Sequence, residues 1–264
     1  VSATIKVENL QKHYVTGSGV TRAVEDISFS VSKGEFVAIV GPSGAGKTTL
    51  LRTLAGLSQP TSGQILYKEK PISTPPREFA VVFQDYARSL FPWFSVERNV
   101  VLPLVNLIPD AARRREIAAA TLAKVGLSGQ GGKRPAQLSG GQQQRVAIAR
   151  ALAYAPEVLI MDEPFASIDA QTRADLEDLV LSLRAETQAT VIFVTHDVDE
   201  AVYMSDRVLV LSRSPSVILE DVRIDLPRPR DQIATKALPA FARARSRVLG
   251  LVRNAAPPPS THID

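Results

Sequence analysis

The chain has 264 residues, 45% of them hydrophobic and 22% charged, a balance that lets a globular protein bury a sizeable core without staples. It contains no cysteine, which excludes disulfides and thiolate metal sites, and its formal charge of +4 is too mild to argue for nucleic acid on its own. No apolar run approaches the roughly 18 residues that span a bilayer, and no signal-peptide pattern opens the sequence, so a membrane role is expected to come through a partner.

In chain order, Thr4 to Leu10 alternates apolar and polar residues and predicts a strand. Ser28 to Val31 predicts a second short strand, and Lys33-Gly34-Glu35 a turn. Phe36 to Val40 is continuously apolar, as in a strand buried on both faces. A glycine-rich loop follows, then a predicted helix from about Lys47 to Ala55 with Gly56 as its stop. Residues from about 87 to 155, rich in Ala and Arg, predict a helical insertion. Val158 to Met161 predicts a buried strand, and Leu176, Leu179, Val180 and Leu183 fall on one face of a helix. Val191 to Val194 and Val208 to Leu211 predict two more buried strands. Buried strands alternating with helices imply a parallel, doubly wound sheet. In the Pro- and Arg-rich tail, Pro239 suits the first turn of a last helix with Phe241, Val248 and Val252 on one face. Ala255 to Asp264 is expected to be loose.

Gly41-Pro42-Ser43-Gly44-Ala45-Gly46-Lys47-Thr48 matches the phosphate-loop pattern G-x-x-x-x-G-K-[ST], placed after a strand and opening a helix. Its glycines let backbone N–H groups approach a triphosphate at a helix N-terminus. Lys47 is expected to reach the outer phosphates, and Thr48 to bind Mg²⁺, with Thr49 in the same first turn. Val158 to Met161 ends in Asp162 and Glu163. At the carboxyl edge of such a sheet these point to a ligand crevice, where Asp162 would hold Mg²⁺ and Glu163 would activate water as general base. Two solvated acids at a strand end are the plainer alternative. Leu138-Ser139-Gly140-Gly141-Gln142 precedes an Arg- and Ala-rich helix, and reads either as a second anion site or as a helix cap at Ser139.

With LSGGQ lying between the phosphate loop and the acidic strand, the sequence resembles the ABC transporter ATPase family from about Ile5 to Arg213. The resemblance implies an α/β phosphate-loop NTPase core with a parallel-rich central sheet, an N-terminal antiparallel β region and an inserted helical subdomain. It implies one ABC ATPase domain over 1–264, with its core at about 1–86 and 156–215, helical subdomain at about 87–155 and tail at 216–264. It assigns Tyr14 to adenine stacking, Gln84 to Mg²⁺ and the attacking water, and His196 to the γ-phosphate. Ser167-Ile168-Asp169 resembles the loop that crosses the dimer interface, with Ile168 where leucine is commoner. In the family two cassettes meet head to tail, so Ser139, Gly140, Gly141 and Gln142 would complete the partner's ATP site in trans. Each smaller match has a plain alternative: a half-buried aromatic for Tyr14, a polar strand end for Gln84, a core histidine for His196.

Leu90-Phe91-Pro92-Trp93, then Val96-Glu97-Arg98-Asn99-Val100, and the tail Asp225-Leu226-Pro227-Arg228-Pro229-Arg230 resemble the nitrate, sulfonate and taurine importer ATPases. The resemblance implies a homodimer with ATP and Mg²⁺, held at the cytoplasmic face of the membrane by separate permease subunits and served indirectly by a solute-binding protein. Sugar-importer ATPases carry a large extra C-terminal domain, and the tail is too short for one. Leu90, Phe91 and Trp93 are expected to help form the socket for the membrane subunit. Two rivals stay open: a soluble ABC ATPase acting on nucleic acid or ribosomes, to which Arg113-Arg114-Arg115 would point, and an exporter cassette with a separate membrane subunit.

Overall fold

A computed structural model describes residues 3–16, 19–166 and 168–255. The elements in chain order are strands β1 (Ala3–Thr16), β2 (Gly19–Ser32) and β3 (Phe36–Val40), helix α1 (Lys47–Leu54), and strands β4 (Ser62–Tyr67), β5 (Lys70–Pro71) and β6 (Phe79–Val82). Helices α2 (Tyr86–Ser89), α3 (Val96–Val101), α4 (Ala111–Lys124) and α5 (Gly140–Leu152) follow, then β7 (Val158–Asp162), α6 (Ala170–Thr187) and β8 (Thr190–Val194). The last elements are α7 (Val198–Met204), β9 (Arg207–Leu211), β10 (Ile218–Arg223) and α8 (Pro239–Arg253). They form two compact units, Val1–Pro76 with Thr190–Asp264, and Arg77–Ala189.

In the first unit β1 pairs antiparallel with β2 and with β4, and β4 with β5. This is the expected N-terminal antiparallel region, but its hairpin is far longer than the two short predicted strands. The reason lies at Asn9 and Asp26. Both take a positive φ of 47°, and the β1–β2 register shifts between Val7 and Leu10. A bulge breaks the two-residue period on which the alternation rests. The Asn9 side chain donates to Asp26 Oδ1 at 3.0 Å, and its backbone N–H to Ser28 Oγ at 2.8 Å, so the irregularity is bonded in place.

Also in the first unit, β3 pairs parallel with β8 and with β9, and β10 closes on β9 antiparallel. Every residue of β3 and β8 is buried, as their unbroken apolar runs require. Phe36 meets Phe193 edge-on at 6.1 Å between ring centres. Gly34 makes the predicted turn at φ 71°. Helix α8 begins as predicted, with Pro in its first turn, and buries Phe241 and Val248 while Val252 is half-buried. Ala255 is buried, and the remainder of the tail predicted to be loose lies outside the described residues.

In the second unit β6 pairs parallel with β7, and helices α2 to α6 surround a core that includes Val100, Leu122, Val146, Ile148 and Leu176. Helix α5 packs against β6 and against α2, α3, α4 and α6. The class is therefore α/β with mixed pairing, as expected. Leu90 is buried, only 2% exposed, so it belongs to this core and not to a partner's socket.

Candidate functional site

The phosphate loop turns from β3 into α1 within the first unit. Gly46, the residue before the helix, sits in the left-handed region at φ 72°, and a Cβ there would lie 2.7 Å from the carbonyl oxygen of Ala23. Both the backbone angle and the approach of β2 demand glycine. Lys47 is 7% exposed, and its ammonium donates to the Gly41 and Pro42 carbonyls at 2.8 and 3.0 Å, bridging the loop from end to start. Pro42 and Thr49 are partly exposed, Ser43, Gly44 and Thr48 are exposed, and Ala45 is buried. The Tyr14 hydroxyl donates to Thr49 Oγ1 at 3.4 Å, and the Lys12 ammonium stands 5.2 Å from the Tyr14 ring centre. Tyr14 is 40% exposed and stands beside the helix that the loop opens.

His196 belongs to the same unit and is exposed, which rules out the core-histidine alternative. Its neighbours are tightly bonded. Thr195 donates to the buried carboxylate of Glu200 at 2.6 Å and accepts the Asp197 N–H at 3.0 Å. Asp197 caps α7 by accepting the N–H groups of Asp199 and Glu200.

The second unit holds the remaining residues. Asp162 ends β7 and is 4% exposed. Glu163 follows at φ 42°, a left-handed conformation rare for a side chain of its size. Such conformations collect at functional sites, where the surrounding structure holds them. Glu163 Oε2 accepts a bond from Gln84 Nε2 at 3.2 Å, so the structure brings these two predicted residues together. Asp162 and Gln84 in this unit, and Thr48 in the first, each carry a hard oxygen atom, the ligand type of Mg²⁺. That ion ordinarily takes one or two carboxylates and completes its shell with phosphate and water. Among the described residues no group of three or more His, Cys, Asp or Glu stands placed to hold a metal ion.

Ser139 caps α5 with a reciprocal box: it accepts the Gln142 N–H at 3.3 Å, and Gln142 Oε1 accepts the Ser139 N–H at 3.1 Å. The capping alternative is thus realised, and an exposed anion site is compatible with it. Gly140 is exposed and Gly141 half-buried beside this cap. A Cβ on Gly141 would come 2.4 Å from Thr172 Cγ2, so this glycine also permits α5 to meet α6. Asp169 caps α6, and the hydrogen bonds from Thr172 hold its carboxyl below the usual carboxylate range. Ile168 is buried, and Ser167 lies outside the described residues.

The predicted socket divides. Trp93 is 64% exposed, Phe91 is half-buried, and with Phe94 they form a ring cluster at 5.4 to 6.2 Å. Two residues that motif reading passed over fix this stretch. Asn99, fully buried, accepts from Phe91 N–H and donates to the Phe91 and Ser95 carbonyls. Arg150 on α5 grips the Ser89 carbonyl at 2.5 Å and its hydroxyl at 2.9 Å. The Asn in V-E-R-N-V was visible in sequence, but a buried polar role has no periodicity to mark it.

A family model described as ABC transporter matches residues 24–166. An uncharacterized ABC transporter ATP-binding protein of Methanocaldococcus jannaschii is 46% identical over 250 residues, 95% of this chain and 91% of that protein. A nitrate import ATP-binding protein of Synechococcus elongatus is 42% identical over 241 residues, 90% of this chain and 87% of that protein. An ATP-binding cassette solved as a dimer, in a post-hydrolysis state bound to ADP and Pi, superimposes with a TM-score of 0.74 at 31% identity, covering 83% of this chain and 98% of its own.

Proposed function

This chain belongs to the ABC transporter family, and on that premise we propose that it is the ATPase of an importer, energising uptake of a small anion through separate membrane subunits. Cassettes of this family bind and hydrolyse ATP to drive transport. The observation that carries the nucleotide chemistry is the phosphate loop, with its left-handed Gly46 and the Lys47 ammonium held across its mouth. Import of an anion such as nitrate, a sulfonate or taurine is supported by the nitrate import relative and by the segments at 90–100 and 225–230.

The proposed roles follow from each side chain. Tyr14 stacks on adenine. Residues Gly41 to Thr49 wrap the phosphates with backbone N–H groups and the Lys47 charge. Thr48, Asp162 and Gln84 would hold Mg²⁺, which would offset phosphate charge. Glu163 accepts the proton of the attacking water, oriented through Gln84 at 3.2 Å. His196 contacts the γ-phosphate. Ser139, Gly140, Gly141 and Gln142 serve the nucleotide of a second copy, with Asp169 nearby on the crossing loop. The solved dimer with ADP and Pi supports pairing of two copies.

Among the described residues no helix is long and apolar enough to cross a membrane, so a peripheral place on the cytoplasmic face would come through permease subunits. Exposed Trp93 supports a docking role for the apolar segment that follows Gln84 in the chain. Nucleic-acid binding finds less support, because two of the three arginines of the run are engaged within the chain. Arg114 donates to the Ile108 and Pro109 carbonyls, and Arg113 pairs with Glu116 at 2.9 Å. The test is isolation of the chain from membranes, identification of its copurifying partners, and uptake assays in vesicles. ATP-dependent accumulation of nitrate or taurine is expected. Efflux, or an ATPase that copurifies with ribosomes and no membrane protein, would overturn the assignment.

A further inference from the structure

The tail from Asp225 to Arg253 embraces α7 at both ends. At the C-terminal end, Arg230 Nη1 donates to the Val202 carbonyl at 3.2 Å and also to that of Tyr203, and the Lys236 ammonium lies 4.8 Å from the Tyr203 ring centre. At the N-terminal end, Arg245 on α8 pairs with Asp199 in the first turn of α7. Arginine at the last carbonyls and an acid in the first turn both suit the helix dipole.

The strap itself is anchored and stiff. Arg228 pairs with Asp206 at 2.6 Å, and Asp206 also accepts the Phe36 N–H at 2.9 Å, where β3 begins. Asp231 accepts the Ile233 and Ala234 N–H groups at 2.9 and 2.7 Å, while its own N–H donates to buried Thr235. Arg247 on α8 pairs with Glu220 of β10. Helix α8 buries Phe241 and Val248 in this unit.

What lies between the two grips is a seven-residue helix. A helix that short does not persist on its own propensity, so its position is set by what holds it. Its N-cap Asp197 is the residue after His196, and its buried Glu200 fixes Thr195, the residue before. Displacing α7 therefore displaces the backbone that carries His196.

We propose that the tail is an intramolecular clamp that positions His196 through α7, with Arg230 and Arg245 as positioning residues. This rests on the reading of His196 as a phosphate contact. It gives the D-L-P-R-P-R segment a use that the nucleotide motifs alone do not.

The test is steady-state ATP hydrolysis by the full chain carrying His196→Ala, Arg230→Ala, Arg230→Lys or Arg245→Ala, and the two doubles of His196→Ala with an arginine-to-alanine change. Each clamp variant should lose about tenfold in kcat with ATP KM within about twofold, because a small misplacement spoils orientation and leaves ground-state binding intact. Arg230→Lys should recover most of the loss, since an ammonium still reaches helix-end carbonyls. In the His196→Ala background neither alanine change should lower kcat further, the coupling expected of residues acting through one group. The Arg245–Asp199 pair is about half exposed, so Arg245→Ala should leave the melting temperature nearly unchanged and carries the test if Arg230→Ala folds poorly. Wild-type kcat in Arg245→Ala with an impaired His196→Ala defeats the clamp and leaves the histidine reading standing. Equal losses in both backgrounds defeat it too. Full turnover in His196→Ala defeats the histidine reading and the clamp together.

Discussion

At the level of single residues, the proposed roles of Glu163, Gly46 and Trp93 are the most readily tested. Glu163 sits at φ 42° and shares a hydrogen bond with Gln84. Glu163→Gln keeps size and removes the proposed base, so turnover should fall on the order of 10²–10⁴-fold. ATP affinity, measured separately, should persist; near-normal turnover would remove Glu163 from the mechanism. Gly46→Ala should abolish nucleotide binding and lower the melting temperature, because the left-handed position alone costs roughly 1–2 kcal/mol and the added methyl meets the Ala23 carbonyl. Equilibrium dialysis with ATP checks it, and wild-type affinity would contradict it. Trp93 and Leu90 separate a surface role from a core role. Trp93→Ala should leave ATP binding and stability intact while assembly with membrane subunits fails, whereas Leu90→Ala should cost about 2–5 kcal/mol of stability. Calorimetry on both variants, alongside copurification, distinguishes them. The sequence alone carried Gly46 and Glu163, because loop and acidic strand end are spacing patterns. It did not carry Asn99, Arg150 or Thr172, whose roles depend on partners distant in the chain.

At the level of elements, continuous apolar runs marked β3, β7, β8 and β9 within a residue or two, since burial on both faces leaves an unmistakable trace. The β1–β2 hairpin was underestimated because bulges shift its register. Strand β10 went unseen because an edge strand such as Ile-Leu-Glu-Asp-Val-Arg buries little. Helices α3 and α7 are short and are held by tertiary bonds more than by propensity. Helix α5 is tied to β6 just beyond its end, where the Tyr154 hydroxyl donates to the Phe79 carbonyl at 2.6 Å. Burial pushes that hydroxyl up to about 12. Between the ordinary tyrosine value near 10 and this value the folded chain keeps a proton that the unfolded chain has lost. The resulting stabilisation is complete below about pH 10 and disappears as pH rises through about 12. Absorbance titration of the phenolates should show a late phase that Tyr154→Phe lacks, and that variant should cost about 1 kcal/mol at neutral pH. An unchanged late phase in Tyr154→Phe would contradict the assignment.

At the level of the whole molecule, one chain carries a phosphate loop in one compact unit and the capped helix N-terminus at Ser139 in the other. The proposed head-to-tail pairing would bring both to the same nucleotide. The most direct measurement is ATP hydrolysis by a mixture of two disabled chains. Lys47→Ala removes the phosphate anchor. Ser139→Asp keeps a good helix cap but sets a negative charge where a partner's phosphates would lie. Each chain alone should be nearly inactive, since every composite site in its homodimer has one defect. Their heterodimer has one site with both defects and one with neither, so mixing should restore hydrolysis well above the sum of the separate rates. A mixture no faster than that sum, or a Ser139→Asp chain that hydrolyses ATP at the full wild-type rate, would contradict the paired-site account.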